Sequence, residues 1–161
     1  MFDIRLNEEQ RAFQQMAREF AETEIKPIAL ELDARPNWED RIPWEVLKKG
    51  SQLGFRSFVL QEENGGAGAS DHLTSCVVAE ELAAADIGTA YYYMLTARRA
   101  RDWFELRMTQ EQRDYFLPRF LKDDTYLKSH DWIFRKRSYG RGKILESKII
   151  DKPFSSKFKN I

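Results

Sequence analysis

The chain has 161 residues, of which 42% are hydrophobic and 32% are charged, with a formal net charge of zero. This composition is typical of a soluble globular protein, and the length favours one domain. Cys76 is the only cysteine, which excludes an intrachain disulfide and a secreted scaffold held together by disulfides. No apolar run approaches the roughly 20 residues of a membrane span, and the N-terminus does not resemble a signal peptide. We therefore expect a cytoplasmic protein without membrane contact.

The zero net charge hides an asymmetry between two parts of the chain. Residues 1–127 carry 16 basic and 23 acidic residues, whereas residues 128–161 carry 10 basic and 3 acidic residues. We predict a helical domain over 1–127 and a basic tail of irregular structure over 128–161. Basic residues interleaved with aromatic ones are typical of a nucleic-acid surface. The tail is short and contains no recognisable domain, so we favour a solvated or disordered extension over nucleic-acid binding.

The first third of the chain has the pattern of amphipathic helices. Asn7 and Gln10 have the spacing of a capping box, and apolar residues recur at intervals of three and four up to about Lys26. Pro27 is expected to start a new turn or to kink this helix. A short helix is predicted after Pro43, with Gly54 as its C-terminal cap.

A glycine-rich loop follows. Residues 55–60 are too short for a helix and are expected to be extended, and Gly65, Gly66 and Gly68 then predict unusual backbone angles. Such a loop can cradle phosphate, but a P-loop requires Lys-Ser/Thr after its last glycine, and a dinucleotide fingerprint requires a preceding long strand. Because neither is present, we favour a tight turn that docks a helix.

Three further helices are predicted after the loop. Ser70 is the expected N-cap of the first, and Gly88 is expected to separate it from a second helix over about 89–107. Thr109 and Gln112 form a second capping box, and Pro118 is expected to end or kink the last helix. The predicted fold is therefore all-α, a helical bundle of five or six helices followed by an irregular C-terminal tail.

Candidates for catalysis or metal binding are few. Glu80 and Glu81 are adjacent on a helix and point about 100° apart, so they cannot act on one substrate atom, and Glu81 is expected to form a partly buried ion pair. His72 and His130 lack the spacing of a metal site. Cys76 is expected to be a buried structural thiol. We assign no catalytic and no metal-binding residue.

The three consecutive tyrosines at 91–93 are the feature most suggestive of ligand contact. Successive helical positions point in different directions, so three rings cannot all lie in the core. Either one of them reaches a pocket or an interface, or one is a core residue and two lie on a subunit surface.

Residues 5–127 resemble the N-terminal helical domain of the acyl-CoA dehydrogenase family. The resemblance is carried by the order of four segments: RLNEEQRAFQQMAREFAETEIKPIALELDA (5–34), IPWEVLKKGSQLGFRSFVLQEENGGAG (42–68), VAEELAAADIG (78–88) and MTQEQRDYFLPRFLKDD (108–124). The family usually has Pro-Glu-Glu before the glycine loop, and Gln61 stands here in place of that proline.

The resemblance implies an oxidoreductase of fatty acid metabolism. Intact members use FAD, act on an acyl-CoA and pass electrons to electron-transfer flavoprotein. Their flavin-binding domain opens with a Thr-Glu-Pro and Gly-Ser-Asp signature, and a later domain supplies a catalytic Glu. Residues 128–143 read KSHDWIFRKRSYGRGK instead. We therefore expect a truncated relative that binds no FAD and is inactive alone.

In the family, the helix after the position of Gly88 lines the far end of the acyl-chain cavity. By that match the pocket-lining residues would be Ala90, Tyr91 and Met94, and aromatic bulk there would favour a short or ring-shaped acyl group. The alternative is a helical interaction module that docks on a companion chain or on its own kind, because an exposed apolar face tends to find a partner.

Overall fold

The computed structural model describes residues 5–122, apart from the side chain of Trp38, and these residues belong to one compact unit. Six α-helices form this unit: α1 (Glu8–Phe20), α2 (Lys26–Ala34), α3 (Trp44–Gln52), α4 (His72–Ala85), α5 (Ile87–Phe104) and α6 (Gln110–Lys122). No strand occurs within the described residues. The all-α prediction with five or six helices is confirmed. The predicted basic tail, with His130, lies outside the described residues.

The N-terminal helix runs past the predicted boundary without a break. The Asn7–Gln10 capping box is present, and a π-helical turn, Ala21–Ile25, joins α1 directly to α2. In that turn the Lys26 N–H donates to the Ala21 carbonyl, five residues earlier. Pro27 lies in the first turn of α2, directly after the π-helical turn. The proline therefore starts a new turn, as one of the two alternatives predicted.

The predicted extended segment over 55–60 is wrong, because these residues form a series of turns. Phe55, Phe58 and Leu60 are all buried, and the compact turns allow three large side chains to point inward within six residues. The positive backbone angles expected for the glycines are present at Gly65 (φ 75°) and Gly68 (φ 72°). Tertiary packing, rather than local propensity, decides the conformation of this segment.

Aspartates, rather than the predicted Ser70 and Gly88, mark the helix boundaries on either side of α4. The Asp71 carboxylate accepts from the Thr74 N–H at 2.8 Å and caps α4. Asp86 is extended (φ −159°) and accepts from the Thr89 N–H at 2.6 Å. Asp and Ser are similarly good N-caps, and here the hydrogen bonds of the two carboxylates identify Asp71 and Asp86 as the caps. Gly88 lies inside α5.

The last helix continues through its proline. The capping box at Thr109 and Gln112 is confirmed by two hydrogen bonds of 3.0 and 3.3 Å. Pro118 does not end α6, which reaches Lys122. Phe120 is buried just after the proline, and its carbonyl accepts from Nη2 of the buried Arg56 at 2.7 Å. These contacts hold the last turn in place.

Two apolar clusters hold the helices together. In the larger one, α1 packs on α4 and α4 packs on α5, with the turns over 55–59 filling the space between them. A smaller cluster joins Leu60, Ala100, Phe104 and Phe120, so it fixes α6 against the end of α5. The larger cluster packs against the inward side of the first half of α5, where the predicted ligand-contacting residues lie.

Candidate functional site

The three tyrosines of α5 have three different environments. Tyr93 is fully buried, Tyr92 is partly buried, and Tyr91 is 61% exposed. Tyr93 is therefore the core residue of the three, and the Tyr91 ring is accessible. The helical rotation of about 100° per residue accounts for the difference.

Tyr93 fixes the position of α5 against α3. Its hydroxyl donates to the Val46 carbonyl at 2.6 Å, and its ring lies 5.6 Å from the ring of Phe55 and 6.0 Å from that of Phe20. Burial raises the pKa of the Tyr93 hydroxyl well above its ordinary value, so it stays protonated and keeps donating. Gly50 allows the close approach, because a Cβ there would lie 2.5 Å from the Tyr93 Cζ.

The three predicted lining residues lie side by side on this anchored helix. Ala90 is buried in the larger cluster, and Met94, one turn later, is partly buried against that cluster. Tyr91 and Ile87, also one turn apart, are 61% and 77% exposed. Over residues 87–94 the outward face of α5 is therefore apolar, and Ala90 lies behind that face.

The glycine loop is fastened to the other end of α5 by one carboxylate. Glu105 accepts from the Gln61 N–H at 2.6 Å and from Asn64 Nδ2 at 3.4 Å. Its second oxygen lies 3.8 Å from Arg101 Nε, and Arg101 donates to the Ser70 carbonyl at 2.9 Å. The pair thus contacts the beginning, middle and end of the loop.

The loop amides are already engaged. The N–H groups of residues 65–70 all donate to backbone carbonyls at 2.7–3.3 Å. A phosphate cradle needs N–H groups that point toward the ligand. The loop therefore does not fit a phosphate or the pyrophosphate of FAD, which supports its interpretation as a docking turn.

Two other residues considered in the sequence analysis, Glu81 and Cys76, lie on α4 outside the proposed pocket wall. Glu81 forms the expected ion pair, with oxygens 2.9 and 2.6 Å from Arg18 Nε and Nη2, and the Arg18 hydrogen bond lowers the pKa of Glu81. Cys76 is exposed, so its predicted burial is wrong. The inward face of α4 consists of Thr74, Val77, Val78 and Leu82. Cys76 lies two residues from Thr74 and Val78, roughly 200° around the helix from each.

Two further findings concern the described part of the chain. Within residues 5–122, no three His, Cys, Asp or Glu side chains converge into a metal site. None of the helices in that range is both long and apolar enough to cross a bilayer. A surface concavity of about 390 Å³ is lined by Pro36, Asn37, Glu39, Asp40 and Arg41, and none of these is a predicted site residue.

Sequence reasoning missed Glu105 and Gly50 as determinants of this arrangement. The contacts of Glu105 with the loop span more than 40 residues, so no local pattern indicates them. Gly50 gives no local signal, because a helical glycine is informative only when its neighbour across the interface is known.

This helical unit is similar in sequence to a part of several known proteins. A family model for the acyl-CoA dehydrogenase N-terminal domain matches residues 7–124. Mitochondrial isobutyryl-CoA dehydrogenase of Dictyostelium discoideum is 34% identical over 115 residues, 71% of this chain and 26% of that protein. A short-chain specific acyl-CoA dehydrogenase of Clostridium acetobutylicum is 44% identical over 80 residues, 50% of this chain and 20% of the relative.

A 3-(aryl)acrylate reductase of Clostridium sporogenes is 33% identical over 121 residues, 74% of this chain and 30% of that protein. No solved structure matches the chain. These matches extend over 20% to 30% of the lengths of the three relatives. The matching model covers most of the chain and agrees with the all-α fold, so the chain belongs to the acyl-CoA dehydrogenase family through its N-terminal helical domain.

Proposed function

We propose that this chain supplies the N-terminal helical domain of an oxidoreductase that acts on acyl-CoA thioesters. In this proposal the outward face of α5 forms one wall of the acyl pocket. The observation that carries it is the exposed Tyr91 ring on a helix whose other side is fixed by Tyr93. A rigid backbone that presents an accessible aromatic ring is the arrangement expected of a pocket wall.

The three lining residues have different roles in this proposal. Tyr91 contacts the acyl group directly, and Met94 contributes the accessible part of its side chain. Ala90 is buried and acts indirectly, because its small side chain lets α5 lie close to the core. The bulk of Tyr91 favours a short or ring-shaped acyl group. The names of two relatives, a short-chain specific dehydrogenase and a 3-(aryl)acrylate reductase, support this class.

FAD and the catalytic base come from outside the 161 residues in this proposal. The bound flavin would accept a hydride from the acyl group. The family signature of the flavin-binding domain has no counterpart in residues 128–143, and the loop amides of the described domain are engaged. We propose that the 161-residue polypeptide by itself binds no FAD and is inactive. A companion chain or further domains would add FAD, the base and contact with electron-transfer flavoprotein.

A domain exchange tests the pocket wall. Residues 7–124 would replace the matching domain of the Clostridium acetobutylicum relative, and kcat/KM would be measured for a series of acyl-CoA chain lengths. We expect Tyr91→Ala to shift the preference toward longer acyl groups by roughly tenfold, since one methylene group in a hydrophobic pocket is worth about 1–3 kcal/mol. Leu30→Ala, at an 87% exposed position on α2, serves as the control. An unchanged preference in Tyr91→Ala would refute the assignment of Tyr91.

Flavin binding by the chain alone is a separate measurement. The purified 161-residue polypeptide would be mixed with FAD, desalted and examined by absorbance and by a dye-coupled dehydrogenase assay. We expect no retained flavin and no activity. A stoichiometric yellow complex would refute this part of the proposal while leaving the pocket-wall assignment to the exchange experiment.

The exposed face of α5 also favours a second candidate function, an interaction module. Ile87 and Tyr91 are large, apolar and mostly exposed, and such surfaces mark interaction sites when they are contiguous. In this proposal the face self-associates or docks on a companion chain. Light scattering tests self-association: a monodisperse monomer at high concentration contradicts it, and Ile87→Ser should reduce any oligomer that forms.

A further inference from the structure

Asn64 is the only one of the four asparagines that precedes a glycine. In an Asn-Gly pair the glycine nitrogen can attack the asparagine side chain, because glycine has no Cβ to hinder the approach. A bond forms between Gly65 N and Asn64 Cγ, and the side-chain amide leaves as ammonia together with the amide proton. Water then opens the cyclic imide to aspartate or isoaspartate. The reaction needs no oxidant, reductant or other co-reactant.

The folded loop opposes this reaction at both reacting groups. The Gly65 N–H donates to the Glu62 carbonyl at 2.9 Å, so the attacking nitrogen is engaged. The Asn64 side chain donates to Glu105 at 3.4 Å, and Asn64 is only 9% exposed. Attack on Cγ requires the nitrogen and the side chain to leave these partners.

The loop cannot release the Gly65 nitrogen and the Asn64 side chain from their partners one residue at a time. Gly66 packs closely against the Leu60 and Ser57 carbonyls. A Cβ at this position would overlap the Leu60 oxygen and lie 2.5 Å from the Ser57 oxygen. The following amides at 67 and 69 both donate to the Phe58 carbonyl, at 3.3 and 3.1 Å. The segment therefore opens as a unit, and its opening controls the reaction rate.

The Glu105 carboxylate holds this unit closed. It contacts the Gln61 N–H and the Asn64 side chain directly, and its partner Arg101 holds the Ser70 carbonyl. After the reaction a carboxylate would replace the Asn64 amide that now donates to Glu105. Two carboxylates at hydrogen-bond distance repel each other, and the donor that fastened the middle of the loop is lost.

We propose that Asn64 is a modification site controlled by the opening of the glycine loop. The closed loop protects Asn64 from deamidation, and an opened loop allows it. The carboxylate that forms beside Glu105 then disfavours closure, so one opening event becomes a permanent change in the domain. This inference is independent of the proposed enzymatic role.

The first experiment measures the protection. The 161-residue chain would be incubated at mildly alkaline pH, folded or in concentrated urea, and the Asn64 peptide would be followed by mass spectrometry and isoaspartate labelling. We expect deamidation in the folded chain to be slower by roughly tenfold or more, because it requires loop opening. Equal rates in the folded and unfolded chains would overturn the proposal.

Two matched variants test whether Glu105 controls the opening. Glu105→Ala should raise the deamidation rate of the folded chain several-fold without changing the rate in urea, and Glu80→Ala, at an exposed position on α4, should change neither. Circular dichroism verifies that each variant is folded. If Glu105→Ala does not fold, Glu105→Gln replaces it, with a smaller rise expected. A folded Glu105 variant that matches Glu80→Ala would overturn the proposal.

A second arm tests the consequence of the reaction. Asn64→Asp should lower the urea midpoint, and adding Glu105→Gln should recover part of the loss because the like charge is removed. Asn7→Asp is the control, since aspartate caps a helix as well as asparagine does. An Asn64→Asp variant as stable as the unmodified chain would contradict the proposed effect on closure.

Discussion

Replacement of Gly50 by alanine probes the contact that positions α5. Gly50 lies in α3, and alanine in a helix interior normally stabilises a protein by about 1 kcal/mol relative to glycine. Here the added Cβ would overlap the Tyr93 hydroxyl and lie 2.5 Å from Cζ of the same ring. The tertiary contact therefore predicts the opposite sign from local propensity.

The expected magnitude follows from three contributions. Overpacking of a core costs about 1–3 kcal/mol. Displacement of the Tyr93 hydroxyl from the Val46 carbonyl, now 2.6 Å away, leaves buried polar groups unsatisfied at a cost of about 1–3 kcal/mol. After subtraction of about 1 kcal/mol for helix propensity, we expect Gly50→Ala to lower the free energy of unfolding by about 3 kcal/mol.

Urea unfolding followed by far-ultraviolet circular dichroism measures this change. With a slope of about 2 kcal/mol/M, the expected loss lowers the urea midpoint by about 1.5 M. Gln52→Ala introduces alanine at an exposed position of the same helix and should leave the midpoint nearly unchanged. In a Tyr93→Phe background the cost of Gly50→Ala should be smaller by about 1–2 kcal/mol, because the overlapping oxygen is gone. A Gly50→Ala variant as stable as the unmodified chain would refute the reasoning.

Three other predictions concern α4 and its contacts. Asp71→Ala should lower the free energy of unfolding by about 2 kcal/mol, since it removes an N-cap and the hydrogen bond from Gln10 at 3.2 Å. Urea unfolding measures this loss of stability. A loss no larger than that of Asn7→Ala, which removes only an N-cap, would contradict a contribution of Asp71 beyond capping. Partial burial opposes ionisation of Asp71, but hydrogen bonds from Thr74 and Gln10 outweigh it and lower its pKa, and the hydrogen bond from Arg18 lowers that of Glu81. Both carboxylates therefore contribute stability above their ordinary pKa values of about 3.9 and 4.3, and this contribution is lost as the pH falls from there through the lowered values. An Asp71→Asn/Glu81→Gln variant should show a weaker decrease in urea midpoint over that pH range. An equal decrease would contradict the lowered pKa values. Cys76 is exposed, so a thiol reagent should label it in the folded chain at nearly the rate seen in urea, and strong protection would indicate a buried thiol.

The elements that sequence reasoning predicted correctly are those specified by nearby residues. The capping boxes at Asn7 and Thr109 depend on contacts between residues three apart, and the left-handed angles at Gly65 and Gly68 depend on a single missing Cβ. The errors at residues 55–60 and Cys76 have another origin. Each depends on which neighbours surround the residue in the folded domain, and those neighbours come from distant segments.

The candidate site likewise has one feature that nearby residues specify and one that only distant contacts determine. Sequence reasoning identified the tyrosine triplet as the informative feature, because helical geometry alone prevents three adjacent rings from sharing one core. It could not determine which ring is buried, since that depends on how α5 is rotated against α3 and the turns over 55–59. That rotation is fixed by the Tyr93–Val46 hydrogen bond across 47 residues.

The sequence by itself determined the helical class, most helix positions and the family, because periodicity, caps and segment order are encoded in residues that lie close together along the chain. Only the tertiary structure decided that Tyr93 is the anchor, that Tyr91 faces outward and that Glu105 holds the glycine loop. Burial and hydrogen bonding between distant segments are properties of the packed domain. A local pattern limits the possible partners of a residue, and the packing of the whole domain selects one of them.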